Sequence, residues 1–455
     1  MRASIGFAAV AAVLLGSSPA LAADLGGDCC ADLEERIAEL EATTARKGNR
    51  KVSLTVYGQV NQAVMFWDDQ TERNTYVVNN KSSTTYFGFE GRATINPEWS
   101  AGYLIEIETG SANSDFVDQG VVPGNPVLGV ADDFNRIIVR HSNWWIESKR
   151  LGRITIGQQS SATDNIAEMD LSRTSAVSLS SVESWNEGFF LRDANTGVAV
   201  IFPGILAQAR VNAGLAPFSI VGDLWRGNLD GGRGNFVRYD TPVVGGFIAS
   251  ASWGEDDDWD VGLRYGGSFN GVSLRAGIGY HYGQILDTDN LTALVGGENI
   301  LPEHESFVGS ASMLHEPTGL FVTVAGGMRN WLEQQVAGVD INSEKYFYVK
   351  SGLLRKWNAL GQTAIYGEYY RIWDVGISFQ NPAFAVFNPL FNEEAETYGV
   401  GIVQHIDAAA MELYLSYRHY TADNISDFTL APLGAVINDH DIRYDIIMAG
   451  GRIKF

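Results

Sequence analysis

From Val52 onward, apolar and polar residues alternate along the chain with a period of two. Val52, Leu54 and Val56 alternate with Ser53, Thr55 and Tyr57, and Tyr103, Ile105 and Ile107 with Leu104, Glu106 and Glu108. The same period runs through Val272–Tyr280, through Met411–Tyr417, and through Ile447, Ala449, Gly451 and Ile453 near the end. This pattern predicts strands with one apolar and one polar face. In a soluble sandwich the apolar face would point inward, whereas in a membrane barrel it meets lipid and the polar face lines water.

The connections favour the barrel. Short ones (Asn96-Pro97, residues 149–152, Pro203-Gly204, Asn270-Gly271, residues 317–319 and 358–361) alternate with long ones (223–234, 255–260, 286–304, 332–344, 374–394 and 422–441). Short turns at one end and long loops at the other are characteristic of outer-membrane barrels. Counting hairpins gives about 18 strands, and because single-chain bacterial barrels have even numbers, 16 and 18 are both open. The expected fold class is therefore all-β: a transmembrane antiparallel β-barrel of 16–18 strands, wide enough for an aqueous lumen. Trp67, Trp99, Trp144, Trp253, Trp331, Trp357 and Trp373 gather near strand ends, where amphipathic rings suit a lipid–water interface.

One stretch breaks the pattern. Between the strand-like runs Arg153–Gly157 and Thr196–Phe202, residues 157–192 follow neither the strand period nor the helical one. A connection this long is functional or disordered, and its mixture of Trp185, Phe189 and Phe190 with carboxylates predicts a loop folded inward to narrow the lumen.

The N-terminus is of a different kind. Arg2, the apolar run Ile5–Leu15 and the motif Ala20-Leu21-Ala22 predict a signal peptide over residues 1–22. Residues 23–50 form a separate periplasmic segment, in which Cys30, Leu33, Ile37 and Leu40 make a short helical seam. A solvated helical stub and a short parallel bundle beneath an oligomer both fit it. The adjacent Cys29 and Cys30 give no disulfide framework, and an intermolecular bridge or free thiols are the options. Residues 51–455 are the barrel domain. An exported chain without an apolar stretch of about 18 residues after its leader is periplasmic, secreted or, with strands like these, in the outer membrane of a Gram-negative cell.

The formal net charge of −22 excludes a nucleic-acid backbone as partner. The seven histidines are scattered without metal-ligand spacing, and no serine–histidine arrangement on one strand face suggests hydrolysis, so no cofactor, metal or enzyme activity is expected. The expected chemistry is an electrostatic filter. Asp164, Glu168, Asp170, Glu183 and Glu187, with Arg173 among them, lie on the inward loop, and Arg92, Arg136, Arg140 and Arg153 are candidates for a basic wall. The acidic run at residues 255–258 reads as a solvated loop tip or a divalent-cation contact to lipopolysaccharide. Saturable transport of a selected solute, such as a sugar stacking on Tyr346, Tyr348, Tyr366 and Tyr370, is the alternative function.

The mature start Ala23-Asp24-Leu25, the segment Asp28–Gly58 and the closing Gly450-Gly-Arg-Ile-Lys-Phe455 resemble the alphaproteobacterial porins of the rhizobial and Brucella type. The resemblance implies a general diffusion porin, a homotrimer and 16 strands. It also suggests that Ala23 can be joined to peptidoglycan through its amine, which adds a structural tether to the functions to be tested, while Phe455, at the end of an alternating strand, looks like the assembly signal of outer-membrane barrels. Partners beyond these are outer-membrane lipid and lipopolysaccharide.

Overall fold

The structure, a computed structural model, describes residues 51–119, 135–200, 221–254, 258–284, 303–332, 335–336, 339–341, 343–375, 377–379, 393–431 and 434–455. The signal peptide, the helical segment with Cys29 and Cys30, Ala23 and the Pro203-Gly204 turn lie outside the described residues.

The alternating runs become the strands β1 (Thr55–Asp68), β2 (Arg73–Asn79), β3 (Tyr86–Thr94), β4 (Trp99–Ser111), β5 (Asn135–Ser148), β6 (Gly152–Ser160), β7 (Arg233–Asp240), β8 (Phe247–Trp253), β9 (Trp259–Phe269) and β10 (Val272–Gln284). They continue with β11 (Glu303–His315), β12 (Leu320–Trp331), β13 (Gln335–Val336), β14 (Val339–Ile341), β15 (Glu344–Arg355), β16 (Thr363–Val375), β17 (Ile377–Phe379), β18 (Glu393–Ile406), β19 (Met411–Ala431) and β20 (Gly434–Lys454). β13, β14 and β17 form a small separate sheet among the loops. All other strands pair antiparallel with their neighbours, and β1 pairs with β20, from Gln59↔Lys454 to Asp68↔Asp445, so the sheet closes on itself.

The barrel has sixteen staves among the described residues, because β2 and β3 share one edge of β1. β2 covers Gln62–Asp68 and β3 covers Thr55–Gln59. Of the two open counts, 16 holds. The run after Thr196 reads as a strand by pattern, yet β6 pairs directly with β7, Arg153↔Asp240 to Ser160↔Arg233. That pairing occupies the only free edge of β6, so no hairpin can be inserted there.

The two faces are reversed relative to a soluble protein. Val60, Val64, Ile105, Leu263, Val400 and Leu415 are exposed on the outside, while Asn61, Glu106, Asp260, Ser310, Glu368 and Arg418 are buried within. A belt of this kind matches a lipid-facing surface around a polar lumen. Trp144, Trp253 and Trp357 are exposed, but Trp67 and Trp331 turn inward and are buried. Parity shifts once. Across β4–β5 the register passes from Glu106↔His141 to Ile107↔Val139, leaving Arg140 as an extra residue. This bulge points both Arg140 and His141 inward.

Candidate functional site

Between β6 and β7 the chain leaves the wall and crosses the lumen, with a helical turn at Val221–Leu224 near its return. The wall receives it on every side. Asp260 of β9 accepts the N–H groups of Ala162 (2.9 Å) and Thr163 (2.6 Å). Ser310 and Ser312 of β11 accept those of Met169 (3.1 Å) and Leu171 (2.9 Å). On the far side, the side chains of Asn61 and Asn80 donate to Ala176 O at 3.0 and 3.1 Å. Tyr370 donates to Gly227 O at 2.9 Å, and the Trp225 indole donates to Thr397 at 3.0 Å. The loop's own Val177, Val182, Trp185, Phe189 and Trp225 are fully buried, packed in one cluster with inward residues of β1, β15, β16, β18, β19 and β20. An amphipathic loop in a polar tube hides its apolar residues against one wall, and of its acids Glu187 is exposed.

Two buried ion pairs fix it. Arg418 Nε donates to Glu368 Oε1 at 2.8 Å, and its other nitrogens donate to Val182 O (3.0 Å) and Leu179 O (3.3 Å). Its guanidinium lies 4.4 Å from the Trp185 ring centre. Lys350 Nζ donates to Asp170 Oδ2 at 2.9 Å, to Thr174 Oγ1 at 2.8 Å and to Ser178 O at 3.0 Å.

The carboxylates on the loop have unlike environments. Burial would raise the Asp170 carboxyl, but Lys350 and Ser172 outweigh it and hold the group below its ordinary value. Burial pushes Glu183 well above the usual range, and Glu187 pushes the same way. Asp230, from the returning segment of the loop, is raised by burial and then by Asp164 and Glu168. Glu168 is also raised by burial, although Ser181 donates to it at 2.8 Å. Asp230 Oδ2 accepts the Ala167 N–H at 3.2 Å, and Asn228 donates to Glu168 at 3.1 Å. Thus Asp164, Glu168 and Asp230 form one acidic group. Glu187 and Arg173 are exposed, and the Arg173 carbonyl faces His405 Nε2 at 3.0 Å.

The basic groups nearest these acids come from strands after the loop. Arg264 of β9 donates to Asp164 O at 2.9 Å, and Arg233 Nε lies 3.9 Å from Asp164 Oδ2. Arg264 and Arg329 both act electrostatically on Asp230. Arg226 and Arg329 flank Glu344 at 3.5 and 3.7 Å. Arg140 instead holds the wall carboxylates Glu106 (2.7 Å) and Glu108 (2.6 Å). Arg92 and Arg153 sit on Trp145, at 5.4 and 4.3 Å from its ring centre, and share Glu147 at the short-turn end. The Arg136 side chain lies outside the described residues. Asp230, Arg264 and Arg329 were absent from the sequence expectation, although Arg264 and Arg329 occupy the polar phase of their strands.

Phe455 closes the sheet: its N–H donates to Gly58 O at 3.1 Å, and its ring occupies the space where a Gly58 Cβ would stand, 2.6 Å away. The tyrosines considered as a sugar track, Tyr346, Tyr348, Tyr366 and Tyr370, point into the lumen but are buried.

Comparison with known proteins agrees with this architecture. The anion-selective porin from Comamonas acidovorans aligns with a TM-score of 0.51 at 14% identity, over 89% of this chain and 100% of that one. The outer membrane channel DcaP of Acinetobacter baumannii aligns with a TM-score of 0.51 at 11% identity, over 90% and 100%. At these identities the likeness is one of fold. No curated protein sequence matches the chain. The model of the Gram-negative porin family matches residues 8–438, nearly the whole length that builds the barrel and its inward loop. The chain belongs to the Gram-negative porin family, and it forms a channel in the outer membrane.

Proposed function

We propose that the channel is a general diffusion pore for ions and small hydrophilic solutes, narrowed by the loop and weakly selective for cations. The observation that carries this is the charged lining at the loop: the acidic group Asp164, Glu168 and Asp230, with Glu183 and the exposed Glu187, beside Arg233 and Arg264. Charged side chains lining the narrowest section of a water-filled lumen filter solutes by charge. The net charge of −22 adds a long-range attraction for cations that salt weakens. The burial of the lumen tyrosines beneath the loop weighs against a stacking track for sugars.

The same reading places the protein among the rhizobial and Brucella-type porins, as a homotrimer with Phe455 as its assembly signal, Ala23 as a point of peptidoglycan attachment, and lipopolysaccharide around its rim. Single-channel current in a planar bilayer, with the reversal potential taken across a salt gradient, tests it. Stable currents in steps of three with cation preference are expected. Absence of current from folded protein overturns the open-pore reading, and anion preference overturns the role of the loop acids.

A further inference from the structure

We propose that His281 and His304 form a binding site for a first-row divalent transition-metal ion at the outer end of the lumen. His281 lies near the end of β10 and His304 at the start of β11, on either side of the long connection 285–302 and so at the end opposite the short turns. The register pairs His281 with Ser306 and Gly283 with His304. The two imidazoles are therefore diagonal neighbours on one face of an antiparallel pair, a separation side chains can bridge. Both are buried, at 8% and 3% exposure.

Three features set this pair apart from ordinary ring packing. The ring centres lie 5.3 Å apart. Two imidazoles on one tetrahedral Zn²⁺, with bonds of about 2.0 Å, place their ring centres roughly 5 Å apart. Second, His281 Nε2 lies 2.9 Å from Asp258 Oδ1. A carboxylate there requires the proton on Nε2 and leaves the Nδ1 lone pair free, the arrangement that orients a metal-ligating histidine. Third, Nδ1 of His281 and Nδ1 of His304 are both buried without a hydrogen-bond partner. Buried polar atoms are seldom left so.

The surroundings suit a small cation. A Cβ at Gly283 would lie 3.2 Å from both Asp258 Cγ and His281 Cε1, so glycine makes the room for the carboxylate. Asp260 is the register partner of His281. Arg329, the nearby cation, lies 5.9 Å from the Trp331 ring centre and 3.7 Å from Glu344, a carboxylate it shares with Arg226. Trp331 is 5.5 Å from His304, and its Nε1 has no partner, so a metal-bound water could accept it. No group of three His, Cys, Asp or Glu suited to one ion exists among the described residues. Water completes the coordination, and the site is an open one. Neither histidine belongs to the loop charges, so the site is independent of the diffusion reading.

The test is calorimetric titration of the detergent-solubilised, folded protein with ZnCl₂, and with MgCl₂ as the hard-cation control. Saturable binding of one Zn²⁺ per chain and none of Mg²⁺ is expected. H281Q and H304Q, which keep the side-chain volume, should each weaken Zn²⁺ binding at least tenfold. D258N should weaken it about 10–100-fold by freeing the imidazole. The salt-gradient reversal potential without Zn²⁺ should stay unchanged in all three, which separates this site from the pore reading. Absence of saturable Zn²⁺ binding, or affinity unchanged in H281Q and H304Q, overturns the proposal.

Discussion

Replacing Arg418 by methionine should release the loop from the barrel wall. Arg418 and Glu368 are both inaccessible to solvent, at 0% and 1% side-chain exposure, and Arg418 alone spans from β19 to two loop carbonyls. Losing one partner of a buried ion pair costs about 3–5 kcal/mol, because the other charge stays buried without compensation. Ser178 at 2.7 Å and Tyr348 at 2.8 Å still donate to Glu368, which favours the low end. Since about 1.4 kcal/mol is tenfold, the ratio of docked to released loop should fall roughly 10²-fold. The β-ladder does not depend on this pair, so the barrel itself should persist. Single-channel recordings of R418M should show larger current noise and altered conductance, and brief proteolysis should cut within residues 161–232. The double variant R418M/E368L, which replaces both charges by apolar groups, should recover much of the docking, as buried pairs replaced together often do. If R418M matches the parent in both noise and cleavage, the pair does not hold the loop.

The remaining predictions concern charge, assembly and attachment. Glu183, Asp230 and Glu168 titrate above their ordinary values, so their contribution to loop docking is present at low pH and lost as pH rises through those raised values. As pH falls through those raised values, cation preference should fall, read as a shrinking reversal potential, while the loop becomes more resistant to protease. D230N should blunt both changes. Asp170 runs the other way. Its contribution holds above the ordinary aspartate value and fades as pH falls through the lowered one, so protease resistance should drop again in strong acid, and in D170N it should be low throughout. Deleting Phe455 should reduce the amount of folded protein in the outer membrane several-fold, read by heat-dependent gel mobility. Deleting residues 23–50 should leave conductance intact but weaken attachment of the envelope, measured by membrane release.

What the sequence could tell depended on whether the information was local. Alternation assigned the faces of β1, β4, β10, β19 and β20, because a strand's period needs no knowledge of its neighbours. Strand number was less accessible, since the run Thr196–Val200 has a strand's composition, and only the pairing of β6 with β7 shows that no edge is left for it. The inward loop was legible from its broken period, but its carboxylates were not distinguishable. Asp170 and Glu168 are two residues apart, yet one meets Lys350 from β15 and the other meets Asp230 and Asn228. The basic groups were sought on strands before the loop, whereas those beside Asp164 and Asp230 come from β7, β9 and β12. Sequence neighbours could not show which stave a loop leans on. His281 and His304 escaped for the same reason, since cross-strand register makes them neighbours.

The divided second stave has a consequence for anyone who would re-engineer this channel. Between β2 and β3 the chain bends inward, and there Ser82 meets the Ser184 hydroxyl at 3.0 Å and receives the Trp185 indole N–H at 3.2 Å. At that point the loop braces the break between the two strands that share the stave. Trimming the loop to widen the bore would therefore strip the divided stave of its support from within. A wider version needs residues 80–85 rebuilt as continuous strand first, so that bore and casing are redesigned as one part.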